Sequence, residues 1–66
     1  MAAEHEIRVM EEKAQLGEKL IKLRMFLDGE TYKKLPSEDR ILLSRQCEAM
    51  EEYYEVLTER IERFAS

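Results

Sequence analysis

The sequence predicts an all-α protein, an antiparallel helical hairpin that assembles into a symmetric oligomeric helical bundle. Apolar residues in both halves of the chain recur at spacings of three and four, which places them on one side of an α-helix. Apart from Gly17, glycine and proline occur only in a short segment between the halves. The apolar face of the second half is also wider than one partner helix covers, which predicts contacts beyond the hairpin.

The small size of the chain supports the prediction of an assembly. Its 66 residues form one helical-hairpin domain, 1–66, and a chain this short buries only about 60% of its unfolded surface. The single cysteine, Cys47, cannot form a disulfide within the chain, and the single histidine, His5, provides no zinc cluster. Oligomerisation is the remaining way to supplement the core.

The first helix is predicted over about residues 4–28, because the segment consists mostly of good helix formers. Its first apolar row contains Val9, Leu16, Leu20, Leu23 and Leu27, and its second contains Ile7, Met10, Ala14, Gly17 and Ile21. Two interpretations of Gly17 stay open: close approach of another backbone, or chance tolerance of a residue that costs about 1 kcal/mol relative to alanine in a helix. Gly29 is predicted to end the helix as a left-handed C-cap residue.

The turn is predicted over residues 29–36, which is short enough to force the two helices to lie antiparallel as neighbours. The second helix is then predicted over about residues 37–64. Pro36 suits a first turn, and Ser37 can cap it.

The second helix carries three rows of residues with different predicted roles. The row predicted to close the hairpin contains Leu43, Cys47, Met50, Tyr54, Leu57, Ile61 and Phe64. The row predicted to contact other subunits contains Leu42, Gln46, Ala49, Tyr53, Val56 and Arg60. The row predicted to face water contains Glu48, Glu52, Glu55, Glu59 and Glu62.

Charge is distributed unevenly along the chain. The net charge is −4, yet residues 13–45 contain eight basic and five acidic residues and form a net-positive centre between acidic ends. In a hairpin this centre becomes one end of the molecule, so we expect a basic tip on an acidic body. Such a tip suits a small anionic ligand, although the same lysines and arginines also serve as ordinary solvated residues that complement helix C-termini.

The residue inventory argues against an enzyme. The sequence has no histidine placed beside Cys47 or a serine, no glycine-rich phosphate loop, and no set of histidine and carboxylate ligands spaced for a metal. We therefore expect no catalysis, no cofactor and no metal. Cys47 lies on the hairpin row and is predicted to be a small core residue rather than a redox centre.

Residues in both predicted helices carry a resemblance to a known family. They are Arg8, Val9, Glu12, Leu16, Lys19, Leu20, Lys22, Leu23, Phe26 and Leu27 in the first helix, and Leu42, Leu43, Gln46, Met50, Tyr53, Leu57, Arg60 and Ile61 in the second. With these residues the chain resembles the helical-hairpin domain of phage proteins that inhibit CBASS and Thoeris immunity. The resemblance covers about residues 8–61.

The resemblance implies a sponge: a viral, homo-oligomeric, hexameric protein that sequesters cyclic nucleotide signals of bacterial anti-phage defence without cleaving them. It further implies immune evasion in the cytoplasm of the infected bacterial host. Better-known sponges carry N-terminal structure ahead of the hairpin and bind one class of ligand there, whereas this sequence begins almost at the hairpin. We therefore expect a pocket that hairpins form at a symmetry axis, for a cyclic oligonucleotide or a cyclic ADP-ribose derivative.

The candidate ligand-binding residues lie around the predicted turn. They are Arg24, Thr31, Tyr32, Lys33, Lys34, Arg40 and Arg45. Arg40 is the predicted phosphate contact, since it lies near the N-terminus of the second helix. For Tyr32 two interpretations stay open, base stacking or closure of the open end of the hairpin.

Two other functions stay open. A non-enzymatic helical protein–protein interaction module explains the apolar rows without using the basic tip. A small DNA-binding regulator fits the basic centre but not the overall acidity. We expect no membrane association and no binding to DNA or RNA polymers, because the chain lacks a membrane-spanning run and is acidic overall.

Overall fold

Two long helices packed along each other form the body of the protein. The computed structural model describes residues 3–64, which form α1 (Glu4–Leu27), the short helix α2 (Glu30–Lys34) and α3 (Ser37–Phe64). Contacts at both ends show that α1 and α3 are antiparallel: His5 packs edge-on against Phe64, with ring centroids 6.1 Å apart, and Arg24 reaches Glu51. The predicted all-α helical hairpin is confirmed.

The hairpin is long and thin, with principal extents of 49 × 15 × 14 Å. Within residues 3–64 the core is therefore one seam between α1 and α3, with no second layer behind it. The cluster at its centre joins Val9 and Leu16 of α1 to Leu57 of α3, whose side chain is 0% exposed. Around it pack Met50, Tyr54, Ile61 and Phe64, all members of the row predicted to close the hairpin.

The start of α1 follows from side-chain chemistry. The Ala3 backbone N–H donates to Glu6 Oε1 at 3.0 Å, and Arg8 donates to Glu4 Oε1 at 2.7 Å. Carboxylates in a first turn also complement the positive end of the helix dipole. These contacts fix the helix at the end opposite the turn.

The turn contains a helix that the sequence did not predict. Gly29 is extended (φ −92°, ψ 168°) and precedes α2 as its N-cap residue, so the predicted left-handed C-cap at Gly29 is wrong. The physical reason is that a second helix starts immediately, and an N-cap residue takes the extended conformation. Leu35 ends α2 in an extended conformation (φ −71°, ψ 153°), as expected for the residue before a proline.

The structure also answers the question left open at Gly17. A methyl group added to this glycine would lie 3.2 Å from Cε2 of Tyr54, which is closer than an ordinary contact. The neighbour is thus an aromatic side chain of α3, not the backbone of another helix.

The helices of residues 3–64 include none with the length and apolar character of a membrane span.

Candidate functional site

The tip of the hairpin is organised around Tyr32 of α2. Its hydroxyl donates to the backbone carbonyl of Arg40 at 3.1 Å, and its ring meets Phe26 of α1 edge-on with centroids 6.3 Å apart. Tyr32 therefore joins all three helices and closes the open end of the hairpin. This contact favours the structural interpretation of Tyr32 over a free stacking surface.

Arg40 is the tip residue with unused hydrogen-bonding capacity. It is half-buried, and its Nε atom is buried without a hydrogen-bond partner among the described residues. An unpaired buried donor costs on the order of 1–3 kcal/mol, and because this Nε atom is out of contact with solvent, a ligand could pair with it only if the Arg40 side chain moved. Its backbone N–H bonds to the carbonyl of Pro36 at 3.1 Å, which places the residue in the first turn of α3.

The remaining tip residues are exposed. Thr31, Lys33 and Lys34 all lie on α2 with their side chains toward solvent. Lys33 has one close anionic neighbour, Glu30, at 3.6 Å. An exposed pair of this kind restrains a lysine only weakly. However, residues 28–40 hold four acidic residues, Asp28, Glu30, Glu38 and Asp39, against three basic ones, Lys33, Lys34 and Arg40, so this end of the hairpin is not the net-positive tip that the sequence predicted.

Arg24 is not part of the tip. Its Nη2 donates to Glu51 Oε2 at 2.8 Å, while the other oxygen of Glu51 accepts a hydrogen bond from Sγ of Cys47 at 3.5 Å. Glu51 lies three turns beyond Arg40 on α3, about 16 Å along the helix. The hydrogen bonds from Arg24 and Cys47 lower the pKa of Glu51, and the bond to Glu51 raises the pKa of Arg24.

The Arg45 side chain leaves α3 in a different direction from that of Arg40. It is exposed and lies five residues after Arg40, so the two side chains leave α3 in directions about 140° apart. Within one hairpin, the seven predicted ligand residues thus fall into three places. Thr31, Tyr32, Lys33, Lys34 and Arg40 share the tip, Arg24 lies in the last turn of α1 with its guanidinium turned to Glu51, and Arg45 lies on another side of α3.

A half-open groove lies beside the seam, where Arg24 is located. It has a volume of about 190 Å³ and is lined by Gly17, Leu20, Ile21, Arg24 and Tyr54. The Nζ atom of Lys13 lies 5.2 Å from the centroid of the Tyr54 ring, a cation–π distance that helps to hold the ring in place. We refer to this feature as the Tyr54 groove.

Sequence reasoning missed the Tyr54 groove, although one signal pointed to it. A glycine in the interior of a long helix indicates that something packs close to the backbone, and Gly17 forms the floor of the groove. The identity of the neighbour depends on how α1 and α3 align, which the spacing of apolar residues does not fix.

The row predicted to contact other subunits is exposed in the single hairpin. Leu42 is 58% exposed, Val56 46% and Tyr53 43%, and Gln46, Ala49 and Arg60 are exposed as well. The hairpin itself therefore does not cover this row. The neighbouring glutamate row is also exposed, as predicted.

The fold and these clusters define a class of protein: a small all-helical hairpin with exposed charged side chains at its tip and an open groove beside its seam. The comparison with known families is more specific. A family model described as Sequestin matches residues 3–63, and the chain belongs to the Sequestin family. No curated protein and no solved structure matches it.

The family assignment confirms the sponge-type family inferred from the sequence. The family name indicates sequestration of a molecule and implies binding rather than catalysis. Within residues 3–64, no group of three or more histidine, cysteine, aspartate or glutamate side chains is arranged to hold a metal ion.

Proposed function

We propose that this protein sequesters a cyclic oligonucleotide or a cyclic ADP-ribose-type signal of bacterial anti-phage defence, and that it does so without chemical conversion of the ligand. In this proposal it is a phage protein that acts in the cytoplasm of the infected host. The observation that carries the proposal is the Sequestin match over residues 3–63. The resemblance to anti-CBASS and anti-Thoeris proteins supplies the class of ligand.

The individual cations at the tip support an anionic ligand, although acidic residues stand beside them. Lys33, Lys34 and Arg40 lie on α2 and the first turn of α3, and Arg40 has an unpaired N–H. Phosphate oxygens are strong acceptors, and a guanidinium binds them with charge-assisted hydrogen bonds. We assign Arg40 as the main phosphate contact, with Thr31 supplying a hydroxyl.

In this proposal, assembly completes the pocket. One thin hairpin exposes its tip on several sides and cannot surround a cyclic nucleotide by itself. Symmetry-related copies joined through the row of Leu42 and Tyr53 bring several tips together, and with them the Arg45 side chains that diverge from Arg40 within one copy. A hexamer is proposed from the resemblance alone.

A non-enzymatic protein–protein interaction module is the second candidate. The large number of exposed apolar side chains favours it, since Ile21, Ile41 and Leu42 are each 58% exposed and Met25 is 69% exposed. A partner helix of another protein would bury such residues equally well.

Isothermal titration calorimetry on the intact assembly tests the proposal. The ligands are a panel of cyclic di- and trinucleotides and cyclic ADP-ribose isomers. We expect saturable heat with at least one ligand, and we expect chromatography after denaturation to recover that ligand unchanged. Absence of heat with every ligand would overturn the sequestration proposal, and recovery of a converted product would overturn binding without catalysis.

The Arg40→Ala variant tests the assigned contact. Loss of a charged hydrogen bond of about 1.5–3 kcal/mol weakens binding roughly 10- to 100-fold. Arg8→Ala is the matched control, because Arg8 is an exposed arginine at the opposite end of the hairpin. Equal affinities of the two variants would show that the phosphate contact lies elsewhere.

A further inference from the structure

We propose that the Tyr54 groove is a second ligand-contact site that receives a planar aromatic ring carrying an anionic group, such as the nucleobase and phosphate of a nucleotide. The inference rests on the proposed function for the class of ligand but not on the tip as its location. It assigns a site that begins at the Arg24–Glu51 pair, where Glu51 lies about three helical turns along α3 from Arg40.

The dimensions of the groove decide how much of a ligand it accepts. Pockets that enclose drug-sized molecules measure roughly 300–1,000 Å³, whereas this groove measures about 190 Å³. It therefore has room for one ring system, with the rest of the molecule outside. Gly17 provides a floor without a side chain, and the Leu20 and Ile21 side chains provide apolar walls.

The groove combines the two contacts that nucleotide rings and phosphates require. Tyr54 lines the groove, and bases stack on aromatic side chains in proteins that bind single strands. Lys13 Nζ lies over one face of the ring, so a base would stack on the other face. Arg24 stands at the end of the groove with its side chain 53% exposed. One of its N–H groups bonds to Glu51, and a guanidinium has five, so others are available to an anion.

Glu51 acts as a positioning residue. Both of its oxygens accept hydrogen bonds, one from Arg24 and one from Cys47, so the carboxylate is held from two sides. It in turn fixes the direction of the guanidinium before any ligand arrives. A preordered arginine loses less conformational entropy on binding than a free one.

The groove also lies apart from the row predicted to contact other subunits. Tyr54 and Tyr53 are consecutive, so they leave α3 about 100° apart, and Tyr53 belongs to that row. Ile21, which lines the groove, is 58% exposed. Covering the row of Leu42 and Tyr53 would leave the mouth of the groove open.

The two glycines make the proposal easy to test by NMR. Gly17 is in the groove and Gly29 is at the tip, and they are the only glycines in the sequence. Their backbone amides can be followed in ¹⁵N-labelled assembly during titration with adenosine 5′-monophosphate, with adenosine and inorganic phosphate as partial ligands. We expect the Gly17 signal to shift saturably with the nucleotide, and at higher concentrations or not at all with either partial ligand.

Two variants test the chemistry. Arg24→Gln should weaken binding of the nucleotide about tenfold, because it removes a charge-assisted contact. Lys22→Gln is the control, since it removes an exposed cation two residues away that does not line the groove. Tyr54→Phe keeps the ring and should keep binding, whereas Tyr54→Leu should weaken it, with circular dichroism checking that each variant remains helical.

Three other outcomes would overturn the proposal that the Tyr54 groove binds a nucleotide. A shift of Gly29 without Gly17 would locate nucleotide binding at the tip, which leaves the proposed function standing and removes this site. A Gly17 signal that responds to protein dilution but not to nucleotide would assign the groove to a contact between copies. No shift of either glycine would exclude the site, while calorimetry with the cyclic nucleotides separately decides the function.

Discussion

At the scale of single residues, a few buried apolar side chains hold the two long helices together. The spacing of apolar residues predicted the row from Leu43 to Phe64, and Leu57, a member of this row, is the most buried side chain among the described residues. Periodicity finds such residues because a helix has one inward direction at each turn. It did not find the contact between Gly17 and Tyr54, which depends on the relative alignment of two helices.

Leu57→Ala should destabilise the protein by about 2–5 kcal/mol, because the large-to-small change leaves a cavity at the seam. The matched control is Ile41→Ala, which truncates a side chain that is 58% exposed and should change stability by less than about 0.5 kcal/mol. Urea denaturation followed by circular dichroism measures both at one protein concentration. Similar losses would show that the seam is not where the hairpin gains its stability.

Cys47 should make stability sensitive to alkaline pH. The thiol is 5% exposed, and burial together with Glu51 raises its pKa above the ordinary 9.0. A group whose pKa is higher in the folded state contributes stability that is complete below the unfolded pKa and is lost as the pH rises through the folded pKa. The urea midpoint of the native protein should therefore fall above about pH 9, and that of Cys47→Ala should fall less. If the urea midpoints of the native protein and of Cys47→Ala fell equally steeply with pH, ionisation of Cys47 would not be the cause.

At the scale of elements, the two long helices were predictable and the short one was not. A row of apolar residues over more than twenty positions has a clear period, whereas the segment from Glu30 to Lys34 is a single turn or so and has none. The surroundings of α2 stabilise it as a helix. An extended Gly29 precedes it, Pro36 follows it, and Tyr32 contacts Phe26 of α1 and the Arg40 carbonyl of α3. Arg24 illustrates the same limit, because the sequence predicted it among the residues around the turn, and its pairing with Glu51 depends on how the two helices align.

Tyr32→Phe should loosen α2 while leaving the hairpin intact. The change removes the hydroxyl that donates to the Arg40 carbonyl, a contact worth about 0.5–1.5 kcal/mol, and keeps the ring that packs on Phe26. Hydrogen exchange should become faster at amides of α2 and unchanged in the middle of α3. Tyr53→Phe is the control, since its hydroxyl belongs to an exposed ring elsewhere on α3. Unchanged hydrogen exchange at the α2 amides of Tyr32→Phe would show that the Tyr32 hydroxyl does not stabilise α2.

At the scale of the whole molecule, the sequence predicts more contacts than one hairpin makes. Only five residues of the described chain are buried apolar side chains, whereas nine large apolar residues are exposed. The surplus is the basis for the proposed assembly, and the number of subunits follows from geometry between chains, which neither periodicity nor a single hairpin supplies.

Leu42→Asp should reduce the size of the assembly. Light scattering of the native protein should give a mass well above the 7.9 kDa of one chain. Leu42 and Ile41 are adjacent and equally exposed at 58%, but only Leu42 belongs to the row predicted to contact other subunits, while Ile41 points toward the glutamate side. The charge at position 42 should therefore lower the mass, and Ile41→Asp should not. A native protein that is a folded monomer at micromolar concentration would refute the assembly.

The antiparallel seam also has a kinetic consequence. Contacts near the tip join residues close in sequence, such as Tyr32 and Arg40, whereas His5 and Phe64 at the far end must meet across almost the entire chain. Since closing a longer loop costs more entropy, the hairpin should form from the tip outward, with each turn of the seam shortening the remaining gap. Substitutions at the tip should then slow folding, whereas those at the far end should mainly accelerate unfolding.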